Sequence, residues 1–210
     1  MPSIEKARSW YQKSDQVHDF DHVMRVYRLA ETLAKKEGAD LEVVRAAALL
    51  HDAQSASGSE DLRLEHHEAA AAFAKRVLKE EGWSEKRINA VQDCILTHRF
   101  RAGLSPTTLE AKVLFDADKL DAIGAIGAAR ALAFAVLDGQ PLHAEPSAVF
   151  QKTLEVEPGE TYTAYHEFLF KLSRIKDRMQ TESGKAMAAE RHTFMNDFFQ
   201  QLRDEVRGEK

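Results

Sequence analysis

The chain has 210 residues, of which 44% are hydrophobic and 30% are charged, and its formal net charge is −5 at pH 7. A chain of this length can bury a sizeable core, so we expect a single domain over 1–210, with a core of about 15–137 and the later helices packed on it. The acidic balance without a block of Lys and Arg argues against nucleic acid as a partner. No apolar run approaches the roughly 20 residues that span a bilayer.

The cysteine content and the first residues bear on where the protein works. Cys94 is the only cysteine, which excludes an intrachain disulfide and a thiolate metal site. The opening residues, MPSIEKARSWYQK, lack the apolar segment of a signal peptide. We therefore expect a cytoplasmic protein that interacts with neither membrane nor nucleic acid.

The pattern of apolar residues is helical along almost the whole chain. Apolar positions recur at intervals of three and four, Ala, Leu, Glu and Lys are plentiful, and alternating β-branched runs are absent. Gly38 is a plausible C-cap and Asp40 a good N-cap. The sequence predicts an all-α protein with helices near 3–13, 19–37, 41–53, 64–81, 85–98, 110–137, 161–182 and 184–207. In the helix near 110–137, Gly124 and Gly127 would allow close helix contact or a kink.

One of the connecting segments is unusually long. Residues 138–160 hold three of the five prolines and show little periodicity. A loop of this length in a compact domain is commonly either a functional cover or a disordered segment. We predict a cover that packs near the functional site.

An apolar run of small residues, Ala46-Ala-Ala-Leu-Leu, ends in the adjacent pair His51 and Asp52. Buried polar groups cost free energy unless a partner satisfies them. A divalent cation would satisfy the imidazole and the carboxylate at once.

Two further metal-type side chains lie on apolar helix faces. His22 shares its face with Val26 and Leu33, and Asp118 shares its face with a stripe of small residues. Taken singly, a histidine on such a face is more often hydrogen-bonded in the core, and the aspartate could pair with Lys119 or Arg130. Three such positions on three separate helices favour a shared metal.

Three motifs resemble the signature of the HD-domain metal-dependent phosphohydrolases. They are His22-Val-Met-Arg-Val26, Ala47-Ala-Leu-Leu-His-Asp52 and Asp116-Ala-Asp-Lys-Leu-Asp121. The longer run 110–127 and the stretch MQTESGK at 179–185 are similar to a bacterial subgroup of nucleotide pyrophosphohydrolase-like members. The resemblance covers most of the chain and implies an HD-domain-like helical bundle.

The resemblance implies that His22, His51, Asp52 and Asp118 are the metal ligands. Asp116 is the rival of Asp118, but the two lie on opposite sides of a helix and cannot easily bind one ion together. The family pattern and the stripe of small residues both favour Asp118. Two imidazoles and two carboxylates suit Mn²⁺ first, with Co²⁺, Ni²⁺, Fe²⁺ and Mg²⁺ as further candidates.

Several cationic and imidazole side chains are candidates for the chemistry around the ion. The family's match to Lys119 often faces substrate phosphate, and Arg25 could reach the same anion or orient the ligand carboxylates. Asp52 could accept a proton from water, and His98 could protonate the leaving group. The candidates for a second metal or for phosphate contacts are His66, His67, Arg99 and Arg101, which are otherwise surface residues.

The function implied by the resemblance is hydrolysis of a phosphorylated small molecule by a metal-activated water. Nucleoside triphosphates cleaved to monophosphate and pyrophosphate are the expected substrates. The alternatives are a nucleotidase, a cyclic-nucleotide phosphodiesterase with one or two metals, and a non-catalytic metal-binding signalling module. The apolar C-terminal helices also make a homodimer plausible.

Overall fold

The computed structural model describes residues 1–11, 20–53, 60–99 and 104–210, with side chains for all of these except 60–66. These residues form helices and no strand, which confirms the predicted all-α fold. The α-helices are α1 (Ile4–Arg8), α2 (Phe20–Glu37), α3 (Leu41–Leu50), α4 (Glu60–Glu80), α5 (Glu85–Thr97), α6 (Leu109–Asp121), α7 (Gly124–Leu137), α8 (Ala148–Thr153), α9 (Ala164–Phe170) and α10 (Glu182–Val206). Among the described residues, Ser9–Tyr11 and Leu172–Arg178 form 3₁₀ segments.

The internal contacts divide the chain into two compact units. Unit 1 contains residues 1–118 and 180–184, and unit 2 contains residues 119–179 and 185–210. The single domain over 1–210 stays a prediction.

Helix α3 is the buried centre of unit 1. It packs against α2, α4 and α5, and every side chain from Val43 to Leu50 except Arg45 is buried. The Asp40 carboxylate caps its first turn, as predicted, by accepting the N–H groups of Glu42 and Val43 at 2.9 and 3.2 Å. Because α3 is buried, the position of the residues that follow its C-terminal end is fixed.

The helix predicted over 110–137, with a kink allowed at Gly124 and Gly127, is in fact two helices, α6 and α7. Gly124 begins α7 with a φ of +78°, a backbone conformation that costs an L side chain free energy. A Cβ at Gly127 would come within 2.2 Å of the Ala122 carbonyl oxygen. The two glycines therefore make a sharp turn possible where the apolar pattern alone suggested continuity.

The segment 138–160 and the helix that follows it also differ from expectation. Helix α8 lies inside the predicted loop and buries Phe150 completely. The helix predicted over 161–182 is α9 followed by the 3₁₀ segment Leu172–Arg178. The role of 138–160 as a cover stays a prediction.

The Glu160 carboxylate organises this part of unit 2. It accepts the Ser147 N–H at 2.6 Å and hydroxyl at 3.0 Å, the Glu157 N–H at 2.9 Å, and the His166 Nε2–H at 3.2 Å. Nearby, the rings of Phe168 and Phe199 stack with centroids 4.6 Å apart. These contacts give unit 2 a hydrogen-bonded turn beside an aromatic core.

Within the described ranges, no single helix is long and apolar enough to cross a membrane. Helices α6 and α7 pass that test of length and composition only as an interrupted pair.

Candidate metal centre

Helices α2 and α6 and the C-terminal end of α3 bring three predicted ligands together in unit 1. The ligand atoms of His22, His51 and Asp118 all lie within 4.8 Å of one another. His22 Nε2 is 3.5 Å from Asp118 Oδ1 and 3.4 Å from His51 Nε2. Ligand atoms that share one ion at about 2.1 Å stand roughly 3 to 4 Å apart, so these groups fit a single cation.

Asp52 completes the predicted set. Its Oδ2 lies 3.4 Å from His51 Nε2 and 3.8 Å from His22 Nε2. His51 is fully buried and Asp52 is 4% exposed. Facing imidazole lone pairs and carboxylates in such a dry site repel one another unless a cation lies between them. The donor set therefore suits a divalent metal, while the ligand role of each residue stays a prediction.

The protonation state of His51 is compatible with metal binding. A backbone carbonyl can only accept, so His51 Nδ1–H donates to the Ala48 carbonyl at 2.8 Å, and the Nε2 lone pair faces the cluster. Burial lowers the pKa of His51 to about 4, against the opposing effect of Asp52. The ring is neutral at pH 7, as metal binding requires.

The charge of Asp52 is also set by its surroundings. Burial raises the pKa of Asp52, but the neighbouring imidazoles of His51, His98 and His22 outweigh burial and hold the pKa well below its ordinary value of 3.8. Asp52 is therefore an anion at neutral pH.

The second oxygen of Asp52 faces a different group of side chains. Asp52 Oδ1 lies 3.7 Å from His98 Nε2 and 3.7 Å from Arg99 Nη2. His98 Nδ1–H donates to the Ile95 carbonyl at 2.5 Å, which directs Nε2 toward Asp52. The end of α5 thus brings two of the predicted candidates to Asp52.

The structure describes the side chains of three of the remaining predicted candidates. Arg25 is half-buried on α2, three residues after His22, and His67 is half-buried on α4. Lys119 is half-buried and belongs to unit 2. The side chains of His66 and Arg101 lie outside the described residues. The functional roles of all five stay predictions.

The rival carboxylate, Asp116, has other partners. Its oxygens accept the N–H groups of Gln180 and Thr181 at 2.8 Å and the Thr181 hydroxyl at 2.6 Å. Burial raises the pKa of Asp116, and these hydrogen bonds oppose the rise. Asp118, not Asp116, faces the histidines.

Tyr11 is a contributor that the sequence did not single out. Its hydroxyl donates to the Leu49 carbonyl at 2.9 Å, at the end of α3 that carries the cluster. Burial first, and then the charge of Asp52, raise the pKa of Tyr11. A tyrosine near the start of a chain carries no local signal of such a contact.

A buried His/Asp cluster at the end of an apolar helix in an all-α fold defines a helical protein built around a metal-type site. A family model for the HD domain matches residues 19–123. Uncharacterized protein YpgQ from Bacillus subtilis (strain 168) is 34% identical over 212 residues, which cover 99% of this chain and 96% of YpgQ. The chain belongs to the HD domain family, as the motifs predicted.

Solved structures agree with this assignment. The crystal structure of Bacillus subtilis YpgQ in complex with ADP has a TM-score of 0.73 at 33% identity, covering 98% of this chain and 99% of YpgQ. An HD-superfamily hydrolase from Bacillus thuringiensis has a TM-score of 0.75 at 30% identity, covering 97% of this chain and 94% of that protein. Together the matches place the chain among the HD-superfamily hydrolases.

Proposed function

We propose that this chain is a metal-dependent phosphohydrolase that cleaves nucleoside triphosphates to monophosphate and pyrophosphate. The observation that carries the proposal is the two-sided environment of Asp52. Its Oδ2 faces the other predicted ligands, and its Oδ1 faces His98 and Arg99. The Asp52 carboxylate thereby lies between a metal-type cluster and side chains that can transfer protons or bind phosphate.

His22, His51, Asp52 and Asp118 would hold the cation, with Mn²⁺ favoured by the mixed nitrogen and oxygen donors. A divalent cation bound there would supply Lewis-acid chemistry, lowering the pKa of water and polarising a phosphoryl oxygen.

The chain's own residues can orient the attacking water. With its Nδ1–H donated to the Ile95 carbonyl, His98 can present a lone pair on Nε2, and Asp52 Oδ1 is also an acceptor, 3.7 Å away. Two acceptors at this separation can both receive hydrogen bonds from one water molecule. Either group can take a proton from that water as it attacks phosphorus, and His98 can return a proton to the leaving oxygen.

Arg99 can balance the charge that grows on the phosphoryl oxygens. Its side chain is 24% exposed while Nη2 lies beside buried Asp52, so the guanidinium spans the distance between the site and solvent. A cation in that position stabilises a phosphoryl-transfer transition state. Lys119, Arg25 and Arg101 remain predicted contributors of the same kind.

Two findings support a nucleotide as the substrate. The motifs resemble a nucleotide pyrophosphohydrolase-like subgroup, and the related YpgQ has been crystallised with ADP. A nucleotide offers the anionic phosphates that the proposed cations would bind.

The test is a product analysis with the Mn²⁺-loaded full chain. Nucleoside triphosphates should give monophosphate and pyrophosphate by ³¹P NMR, and reaction in ¹⁸O-labelled water identifies the phosphorus that is attacked. Asp52→Ala should abolish turnover. Glu85→Ala removes an exposed carboxylate at the start of α5, the end opposite His98, and should leave turnover unchanged.

Other products would select the alternatives. Orthophosphate would identify a nucleotidase. Turnover of a cyclic nucleotide with two ions per chain would identify a two-metal phosphodiesterase, with His66, His67 and His98 as candidate ligands. Metal binding without any product would leave the non-catalytic signalling module. Analytical ultracentrifugation would test the predicted homodimer.

A further inference from the structure

Asp116 is a fully buried carboxylate to which the proposed chemistry gives no task. It lies on α6, two residues before the predicted ligand Asp118, and is 0% exposed. Its Oδ1 accepts the Gln180 N–H, and its Oδ2 accepts both the N–H and the hydroxyl of Thr181. A buried carboxylate satisfied in this way is held firmly, because leaving its oxygens without donors would cost free energy.

The partners of Asp116 form a short, tightly packed segment of unit 1, residues 180–184. The Thr181 hydroxyl donates to Asp116 and accepts the Gly184 N–H at 3.0 Å. Thr181 is thereby the N-cap of α10. A Cβ at Gly184 would lie 2.2 Å from Asp116 Oδ2. Glycine at this position therefore allows the carboxylate to approach the helix start.

The rotational orientation of α6 about its own axis determines where both Asp116 and Asp118 point. The contacts of Asp116 therefore bear on the metal centre. Residues two apart on a helix point to nearly opposite sides. Fixing Asp116 against Gln180 and Thr181 thus fixes the direction of Asp118, whose Oδ1 is 3.5 Å from His22 Nε2. A rotation of about 20° would move an oxygen about 6 Å from the axis by roughly 2 Å, more than a preorganised ligand tolerates.

We propose that Asp116 is a positioning residue that, through the Thr181 N-cap, holds α6 in the rotation that presents Asp118 to the metal. This inference rests on the metal site of the proposed function. Asp116 itself touches neither metal nor substrate in this role.

The test compares Mn²⁺ affinity of full-length variants by isothermal titration calorimetry. Asp116→Asn keeps the shape but turns an NH₂ group toward N–H donors, and should raise the Kd for Mn²⁺ by about 10- to 100-fold. Thr181→Val removes the hydroxyl and should raise the Kd less. Thr181→Ser restores the hydroxyl and should return the Kd to within about twofold of wild type.

Glu37→Gln is the matched control. Glu37 lies at the end of α2 and accepts the Ser183 N–H at 2.7 Å, so it contacts the same segment. Its negative charge also repels that of Asp116, and Glu37→Gln removes this repulsion while leaving every hydrogen-bond donor to Asp116 in place. Glu37→Gln should leave the Kd for Mn²⁺ unchanged. An equal loss in Glu37→Gln and Asp116→Asn would overturn the proposal, since any loosening of 180–184 would then suffice.

Hydrogen exchange and His51→Ala separate this inference from the proposed function. Asp116→Asn and Thr181→Val should speed amide exchange in α6 around Asp118, whereas Glu37→Gln should affect only 182–184. If His51→Ala bound Mn²⁺ like wild type, the proposed metal site would fail and the exchange data alone would decide the role of Asp116. A wild-type Kd in Asp116→Asn, with His51→Ala unable to bind, would overturn the positioning role, as would unchanged α6 exchange.

Discussion

Asp52 has different neighbours at its two carboxylate oxygens, and in the proposed function this difference separates metal binding from proton transfer. Oδ2 lies among the predicted ligands, while Oδ1 lies 3.7 Å from His98 Nε2. A substitution at His98 should therefore act on turnover without removing a ligand.

His98→Gln is expected to lower kcat by about 10²- to 10⁴-fold, the usual contribution of a positioned acid–base group, while the Kd for Mn²⁺ stays within a few-fold of wild type. Steady-state kinetics and metal titration on the same sample would measure both. His192→Gln, in unit 2, is the control. An unchanged kcat in His98→Gln would remove His98 from the mechanism.

Tyr11 supports the same end of α3 from outside the cluster. Tyr11→Phe leaves the buried Leu49 carbonyl without its side-chain donor, and should lower the free energy of unfolding by about 1–3 kcal/mol. Urea unfolding of both proteins would measure the difference. Equal stability would mean that water or another group replaces the hydroxyl.

The candidate ligands could be predicted from the sequence because each is marked by its helix face. His22 and Asp118 interrupt apolar stripes, and His51 and Asp52 end a buried helix. The meeting of His98 with Asp52 could not be derived in this way, since it depends on how the ends of α3 and α5 pack. The partner of Asp116 lies 65 positions away at Thr181, beyond any local pattern.

At the scale of elements, the helix boundaries that carry a local signal were predicted well. Asp40 caps α3, and Gly38 follows α2 with a φ of +78°. At Gly124 and Gly127 the sequence allowed a kink or a close helix contact, but it did not predict a complete break before α7, because glycine is tolerated inside helices as well as at their ends. Its effect depends on what packs against it, which composition does not reveal.

Gly124→Ala tests that break. The alanine would occupy a φ of +78° and place its Cβ 3.0 Å from Arg191 Cγ, so we expect a loss of about 1–2 kcal/mol in the free energy of unfolding. Gly139→Ala is the matched control, because its φ is +75° but its Cβ would meet nothing within 4 Å. Thermal unfolding that shows equal losses would assign the whole effect to backbone strain.

The turn around Glu160 has a pH dependence of known sign. The N–H groups of Glu157 and Ser147, with help from His166, lower the pKa of Glu160 from 4.5 to about 2. A pKa depressed by folding stabilises the folded state above the unfolded pKa, and that contribution is lost as pH falls from about 4.5 to about 2.

Glu160→Gln should therefore be less stable than wild type at pH 7, and the difference should shrink between about pH 4.5 and pH 2. Urea unfolding at a series of pH values would measure it. A constant difference across this range would mean that the Glu160 carboxylate does not titrate with folding.

At the scale of the whole molecule, the family and the all-α fold were both predicted correctly. The motifs that carry the prediction, from His22 to Asp121, fall within the residues 19–123 that match the HD domain. The conformation of 138–160 was not predicted, since α8 and buried Phe150 lie in a segment rich in proline. Proline-rich composition predicts neither the conformation of such a segment nor what it contacts.

The proposed chemistry depends on one divalent cation held by His22, His51, Asp52 and Asp118. Calorimetric titration of the purified chain with Mn²⁺ tests it most directly. We expect one ion per chain, with binding lost or weakened by at least about 100-fold in Asp118→Ala and unchanged in Glu85→Ala. Wild-type stoichiometry and affinity in Asp118→Ala would contradict the ligand set and the chemistry built on it.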